Sequence, residues 1–244
     1  MTFSIVIPAH NEVGSLEATV RAIVDTMARH QIAVEVVVVN DHSSDGTAEL
    51  VDRLSRELPV VRRVDNLGQG GYGFAVRTGL DAYTGDAVCI VMADASDEPE
   101  DIVRYFREIE GGYDCAFGSR FIPGARVVNY PRQKLIINRF ANWLIRVLFG
   151  FAYNDVTNAF KCYSRTTVDG IRPFLSNHFN LTVELPLKAI VRGYSYTVVP
   201  TQWYGRVHGL SKLKIKEMGS RYLFIVLYVL LERWLSRGDY RRSA

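Results

Sequence analysis

The 244-residue chain is short of the features that would assign it to several classes at once. It has only three cysteines, and its longest uncharged apolar run, 222–231, is ten residues. Cys89, Cys115 and Cys162 are odd in number, widely spaced and set in apolar surroundings, which excludes a disulfide framework and a zinc pattern and suits a reducing cytoplasm. A membrane-spanning helix needs about 20 apolar residues, so the run at 222–231 is too short to cross a bilayer. Residues 1–6 pass straight into a strand pattern without a basic flank or a small-residue cleavage site, and no ordinary signal peptide is expected. Net charge is only +3, which gives no ground for a nucleic-acid partner. The charge is uneven, however. Residues 206–244 hold nine Lys or Arg against three Asp or Glu, so the basic character is C-terminal and suits an anionic partner such as a phosphate or a membrane surface.

What is present is a globular composition, 48% hydrophobic and 23% charged, in a regular alternation of strand and helix patterns. Strands are predicted at 3–7, 34–39, 60–64, 87–92 and 114–117, and helices at about 15–29, 47–57, 71–83 and 99–109. Such alternation implies an α/β fold with a parallel sheet. Every predicted strand ends in polar or glycine chemistry: Pro8 to Glu12, Asn40-Asp41, Asn66 to Gly71, Ala93 to Asp97, and Gly118 to Arg120. In open α/β sheets ligands bind beyond the carboxyl ends of the strands, so five such endings describe a crevice.

The fourth ending is the most suggestive. The apolar stretch 87–92 runs into Asp94, Ser96, Asp97, Glu98 and Pro99. Two aspartates three residues apart suit a hard cation such as Mg²⁺ or Mn²⁺, and they equally suit a turn and the cap of a helix beginning at Pro99. Gly68 to Gly73 spells G-x-G-x-x-G with Asp94 about 20 residues on, as a dinucleotide fingerprint would. It follows the third strand rather than the first, against that reading, and its glycines then serve a close backbone approach or a tight turn. Asp41, at a strand tip, is placed to accept hydrogen bonds from a base or ribose, while Asp45 to Thr47 reads as turn and N-cap.

Two later helices are amphipathic or apolar. In 135–152, Arg139, Asn142 and Arg146 share one face, which fits either a membrane-surface helix or a core helix with a solvated stripe. In 217–235 an apolar centre is flanked by Lys212, Lys214, Lys216, Arg233 and Arg237, favouring an interfacial anchor or partner helix.

Residues 4–12, 38–47, 94–97 and 118–121 together resemble the inverting family-2 glycosyltransferases of the GT-A fold. Residues 155–163 and 206–213 are similar to the dolichyl-phosphate mannosyltransferase and polyprenyl-phosphate glycosyltransferase group. The resemblance spans about 3–215. It implies a nucleotide-diphospho-sugar transferase with a mostly parallel central sheet flanked by helices: a catalytic domain at 1–215, whose nucleotide-sugar half is 1–120 and acceptor half 121–215, followed by a C-terminal membrane-surface or partner-binding helix and basic tail at 216–244.

The activity implied is transfer of a hexose from a nucleotide-sugar to a polyprenyl or dolichyl phosphate, with inversion, at the cytoplasmic membrane face. GDP-mannose is the preferred donor; UDP-glucose or another UDP-sugar is the alternative, and a non-catalytic nucleotide-sugar-binding protein is a third reading. Carried over, Pro8, His10, Glu12, Asp41, Gly70 and Asp94 would bind the nucleotide-sugar. Arg120, Arg132, Lys161, Arg206 and Lys212 would bind the acceptor phosphate, with Asp94, Arg120, Arg206 and Lys212 catalytic. A divalent cation, Mg²⁺ or Mn²⁺, would rest on Asp94, Ser96 and Asp97. Partners implied are the donor, the lipid acceptor, the membrane surface and a membrane-anchoring subunit or further copies of the chain. Two departures stand out: Met92 takes the place of the group's first metal-binding aspartate, and Lys161 that of a common arginine. A polysaccharide synthase is disfavoured, because residues 202–206 do not match Q-x-x-R-W.

Overall fold

A computed structural model describes residues 1–205 and 215–242, with the side chains of 215–218 outside the description. The first half alternates β1 (Phe3–Ala9), α1 (Leu16–Arg29), β2 (Val34–Asn40), α2 (Thr47–Glu57), β3 (Val61–Asp65), α3 (Tyr72–Ala82), β4 (Ala87–Ile90), α4 (Pro99–Glu110) and β5 (Cys115–Ser119). All nine elements fall where the sequence places them, to within a few residues at each end. The second half is less regular: β6 (Arg126–Val128), α5 (Arg132–Phe149), β7 (Lys161–Ser164), α6 (Arg165–Gly170), α7 (Leu181–Val191), β8 (Tyr196–Pro200), β9 (Gln202–Tyr204) and α8 (Ile215–Leu235).

Seven strands form one sheet in the order β3-β2-β1-β4-β7-β5-β8, parallel except for β7, which runs antiparallel between β4 and β5. Side chains of a strand alternate between faces, and here both faces are buried. Phe3, Ile5 and Ile7 enter one core with Val36, Val38 and Cys89; Val6 enters the other with Val37, Val39, Val88 and Ile90. The first core lies under α1, α2 and α4, the second under α3, α7 and one face of α8. β6 and β9 pair as a separate parallel ribbon, and Asp101 in the first turn of α4 anchors it by accepting the Gln202 N–H at 2.8 Å.

α5 is inside out relative to an ordinary core helix. Its buried residues are Asn142, Ile145 and Phe149, whereas Ile136, Phe140, Trp143 and Val147 are exposed. Asn142 is buried because its amide donates to the Asn138 carbonyl and to Thr157 Oγ1, so a residue grouped by sequence with the arginine stripe is part of the interior.

α8 has two faces. Ile225, Val226, Val229 and Leu230 are core, while Phe224, Leu227, Leu231 and Trp234 are exposed. Its inner face is fastened by Glu232, which accepts from Arg192 Nε and Nη2 at 2.8 and 2.9 Å, both side chains being under 5% exposed. Among the described residues no helix is long and apolar enough to cross a membrane.

Removing one partner of a buried ion pair leaves an uncompensated charge, so Glu232→Ala should cost about 3 kcal/mol. Exposed Leu231→Ser should stay within about 0.5 kcal/mol. Urea midpoints of the two variants measure the difference. Asp101 generates a pH-dependent expectation. Burial pushes its carboxyl up to about 6, against the Gln202 N–H and Arg104, which favour the charged form. The folded state then binds more protons than the unfolded chain between about pH 4 and 6, so this group's contribution falls as pH rises through that window. Asp101→Asn removes that term: its stability relative to the parent should rise by roughly 2 kcal/mol from pH 4 to pH 7. A difference that does not move with pH would show that Asp101 is not the titrating group.

Candidate active site

Because the sheet is covered on both faces, its polar chemistry is confined to the strand ends, and all five predicted endings open into one cavity of about 850 Å³. Pro8, His10 and Glu12 line it after β1, Asp41 after β2, Gly70 after β3, Met92, Asp94, Ser96 and Asp97 after β4, and Arg120 after β5. Three of these endings hold a non-glycine residue in the left-handed region: Asn11, His42 and Ala95, with φ of 54°, 55° and 56°. Such conformations cost energy and persist where surrounding contacts impose them, commonly at functional sites.

At the β2 end the Asp41 carboxylate organises the glycine segment. Its Oδ1 accepts from Asn66 Nδ2 at 2.7 Å and its Oδ2 from the Gly71 N–H at 2.8 Å, while its carbonyl bonds His10 Nδ1. The glycines permit an approach that a side chain would block. A Cβ at Gly73 would lie 2.4 Å from the Asn177 carbonyl carbon, so the start of α3 seats directly on the loop before α7. Asp45 forms the expected turn, its Oδ1 accepting the Thr47 N–H and its Oδ2 that of Val13.

At the β4 end the carboxylates shape a tight turn. Asp94 Oδ1 accepts the Ser96 N–H at 3.1 Å, and Asp97 Oδ2 the Met92 N–H at 3.0 Å. Burial pushes the Asp97 carboxyl up to about 7, with the neighbouring Asp94 adding to the rise and the Met92 N–H opposing it. Among the described residues there is no group of three or more His, Cys, Asp or Glu that would enclose a metal by itself. Two carboxylates and a hydroxyl nevertheless fit a small, hard cation, since Mg²⁺ is usually held by one or two carboxylates and takes its remaining ligands from water and substrate phosphates. The Met92 thioether contributes nothing to such a set.

The β5 end carries the cationic wall. Arg120 is fixed by Asp155, which accepts from its backbone N–H, Nε and Nη2 at 2.9, 2.8 and 2.8 Å. Asp155 is fully buried and the Arg120 side chain 8% exposed. Burial disfavours the charged guanidinium, but Asp155 more than offsets this and holds Arg120 above its ordinary pKa. The guanidinium also lies over the rings of Phe121 and Tyr130 at 5.4 and 5.5 Å.

The other predicted cations fare differently. Lys161 lies off the cavity wall: it is buried, and its ammonium donates to the carbonyls of Val156, Asn158 and Thr182. Burial pushes this group down to about 7. Its place in the fold is beneath the 155–160 loop, which it ties to the start of α7. Arg132, the first residue of α5, is exposed and away from the cavity. Arg206 and Lys212 lie outside the described residues. Sequence reasoning missed Lys134, which lines the cavity two positions after Arg132, as well as Tyr130, Asn138, Thr157, Phe179 and Trp203. Lys134 lies two positions from Arg132, which the resemblance singled out; the aromatic residues come from distant segments with no shared motif.

The same cavity is also walled by apolar residues of α5 and α8: Ile137, Ala141, Leu144, Leu148, Leu223 and Val226. It thus has one charged end and one apolar end.

Comparison with known proteins agrees with this geometry. Residues 4–169 match the model of Glycosyl transferase family 2. The chain is 31% identical over 215 residues to the polyprenol monophosphomannose synthase of Mycolicibacterium smegmatis, covering 86% of this chain and 80% of that protein. It is 28% identical over 235 residues to the undecaprenyl-phosphate mannosyltransferase of Micrococcus luteus, covering 94% of each. In fold it is similar to the glucosyl-3-phosphoglycerate synthase of Mycobacterium tuberculosis, solved with Mn²⁺, UDP and phosphoglyceric acid, with a TM-score of 0.69 at 19% identity over 95% of this chain and 78% of that one. A GT-A-like α/β sheet whose five strand ends meet in one cavity, joined to a family match over most of the chain, identifies it as a glycosyltransferase belonging to family 2.

Proposed function

We propose that this glycosyltransferase moves a mannosyl group from GDP-mannose to a polyprenyl phosphate, with inversion, at the cytoplasmic face of a membrane. The observation that carries the reading is the continuity of the cavity. Its charged end suits a nucleoside diphosphate sugar and its apolar end an isoprenoid chain, and a soluble acceptor would have no use for the α5–α8 cleft. The mannose assignment is supported by the relatives that bear mannosyl names. Three buried free cysteines fit a reducing compartment.

In this reading Pro8, His10, Glu12, Asp41 and Gly70 hold the nucleoside. Asp94, Ser96 and Asp97 would hold a divalent cation, which when bound would offset charge on the departing nucleoside diphosphate. An oxygen of the acceptor phosphate attacks the anomeric carbon from the side opposite the leaving group; the new C–O bond forms as the bond to the diphosphate breaks, inverting that centre. The acceptor oxygen is already anionic at neutral pH, so no general base is required. Arg120, locked by Asp155, offers its remaining N–H groups to that phosphate, which suits a bidentate anion contact, and Lys134 adds a second cation. Arg206 and Lys212 complete the proposed acceptor set from outside the described residues.

The membrane is met by the exposed faces of α5 and α8, where Phe140, Trp143, Phe224 and Trp234 form an apolar surface flanked by Arg139, Arg146, Arg233 and Arg237. An apolar patch of this kind, rimmed by cations and carrying tryptophans, suits a headgroup interface. A membrane-anchoring subunit would occupy the same face.

Incubation with radiolabelled GDP-mannose, polyprenyl phosphate vesicles and Mn²⁺ should place label in the lipid phase, and Asp94→Asn should lower that rate by about 100-fold. Preferential labelling from UDP-glucose would overturn the choice of sugar, and no lipid label from any nucleotide-sugar would overturn the activity. Trp143→Ser with Trp234→Ser should reduce sedimentation with anionic vesicles while leaving protection by GDP against thermal unfolding unchanged.

A further inference from the structure

We propose that Trp203 is the sugar platform of this enzyme: its indole face carries the pyranose of the donor, next to the 94–97 turn. The inference rests on the reading of the charged end of the cavity as a nucleotide-sugar site, and it does not depend on the nature of the acceptor.

Trp203 lies in the middle of β9, half-buried, with its side chain on the cavity wall. Its position is over-determined. On one side its backbone bridges that of Asp97, and the next residue, Tyr204, donates its N–H to the Ser96 carbonyl at 3.1 Å. On the other side it pairs with Val127 of β6, while the preceding Gln202 is tied to Asp101. The Tyr130 ring packs on the indole with centroids 4.9 Å apart and planes at 56°, and Tyr130 in turn supports the Arg120 guanidinium. A large aromatic side chain is therefore held stiffly between the carboxylate turn and the arginine, where the charged groups of a donor and acceptor would converge.

The chemistry of that spot is selective. A donor diphosphate held at the Asp94 end of the cavity has its sugar as the next group along, toward Arg120 and the acceptor. A pyranose has a face of C–H bonds and a rim of hydroxyls. The electron-rich face of an indole matches the first, and the polar groups of the same cavity are left to meet the second. A nucleoside diphosphate without sugar has no group to place there. Trp203 should thus contribute to binding only when the sugar is attached, whereas a tryptophan that merely walls the cavity would affect both ligands alike.

The test compares protection against thermal unfolding by GDP and by GDP-mannose, with UDP and UDP-glucose in parallel, in the parent, Trp203→Leu and Trp203→Phe. In the pair that binds, Trp203→Leu should lose about tenfold in affinity for the sugar nucleotide, with the nucleoside diphosphate unchanged within twofold; Trp203→Phe should recover most of the loss. KM for the donor should rise in step. Equal losses for both ligands, or no loss for either, would overturn the platform, and unchanged diphosphate binding confirms that the variant is folded. Binding of the uridine pair alone would tell against the GDP-mannose assignment and leave the Trp203 comparison decided by that pair.

Discussion

The ion pair between Arg120 and Asp155 is the hinge on which the second half of the molecule depends. Arg120 ends the first half of the chain at the tip of β5, and Asp155 belongs to a loop 35 residues on. Around them the two segments are stitched together: Tyr153 donates to the carbonyls of Gly118 and Asp155, and Asn158 to that of Gly118. Ser119 bonds Asn154, and Lys161 closes the loop from below through three carbonyls. A buried pair of this kind gains little over an apolar substitute, because desolvation consumes most of its Coulomb energy, yet it leaves a guanidinium in one orientation. Here that orientation faces the cavity, so the fixed geometry of the cation, more than net stability, is what the pair contributes.

The same constraint explains why charged and apolar chemistry can share one cavity. The carboxylates stand on turns that follow β4, in the half of the sheet closed by α1 and α4. The apolar cleft is built by α5 and α8, which cover the sheet only along narrow stripes and turn their remaining apolar residues outward. Arg120, stacked on Tyr130, lines the same cavity as the apolar residues of α5 and α8, so a cation and a hydrocarbon wall share one space. α8 is both a wall of the cleft and part of the core through Arg192 and Glu232, which ties the apolar face to the rest of the fold.

Much of the first half was legible in sequence because its signals are local. β1 and β2 are rich in β-branched residues, each helix has its own period, and the polar residues follow directly on the strand tips, so Pro8, His10, Glu12, Asp41, Gly70, Asp94, Ser96, Asp97 and Arg120 could be named from the sequence. The second half was less legible. Asn142 sits on the helical face that carries Arg139 and Arg146, and nothing local shows that Thr157 would draw it inward. Lys161 looked like a phosphate ligand because the resemblance places a common arginine there; only its three carbonyl partners show how it is used. Trp203 and Tyr130 meet from segments more than 70 residues apart.

By itself the sequence determined the alternation of strands and helices, the family, and the set of polar strand ends, since periodicity and turn chemistry act over a few residues. The tertiary structure decided which cations reach the cavity, which face of α5 is buried, and that the charged site continues into an apolar cleft. Those are properties of the contacts between elements far apart in the chain, and a side chain's partner across such a contact is set by packing, not by its neighbours in sequence.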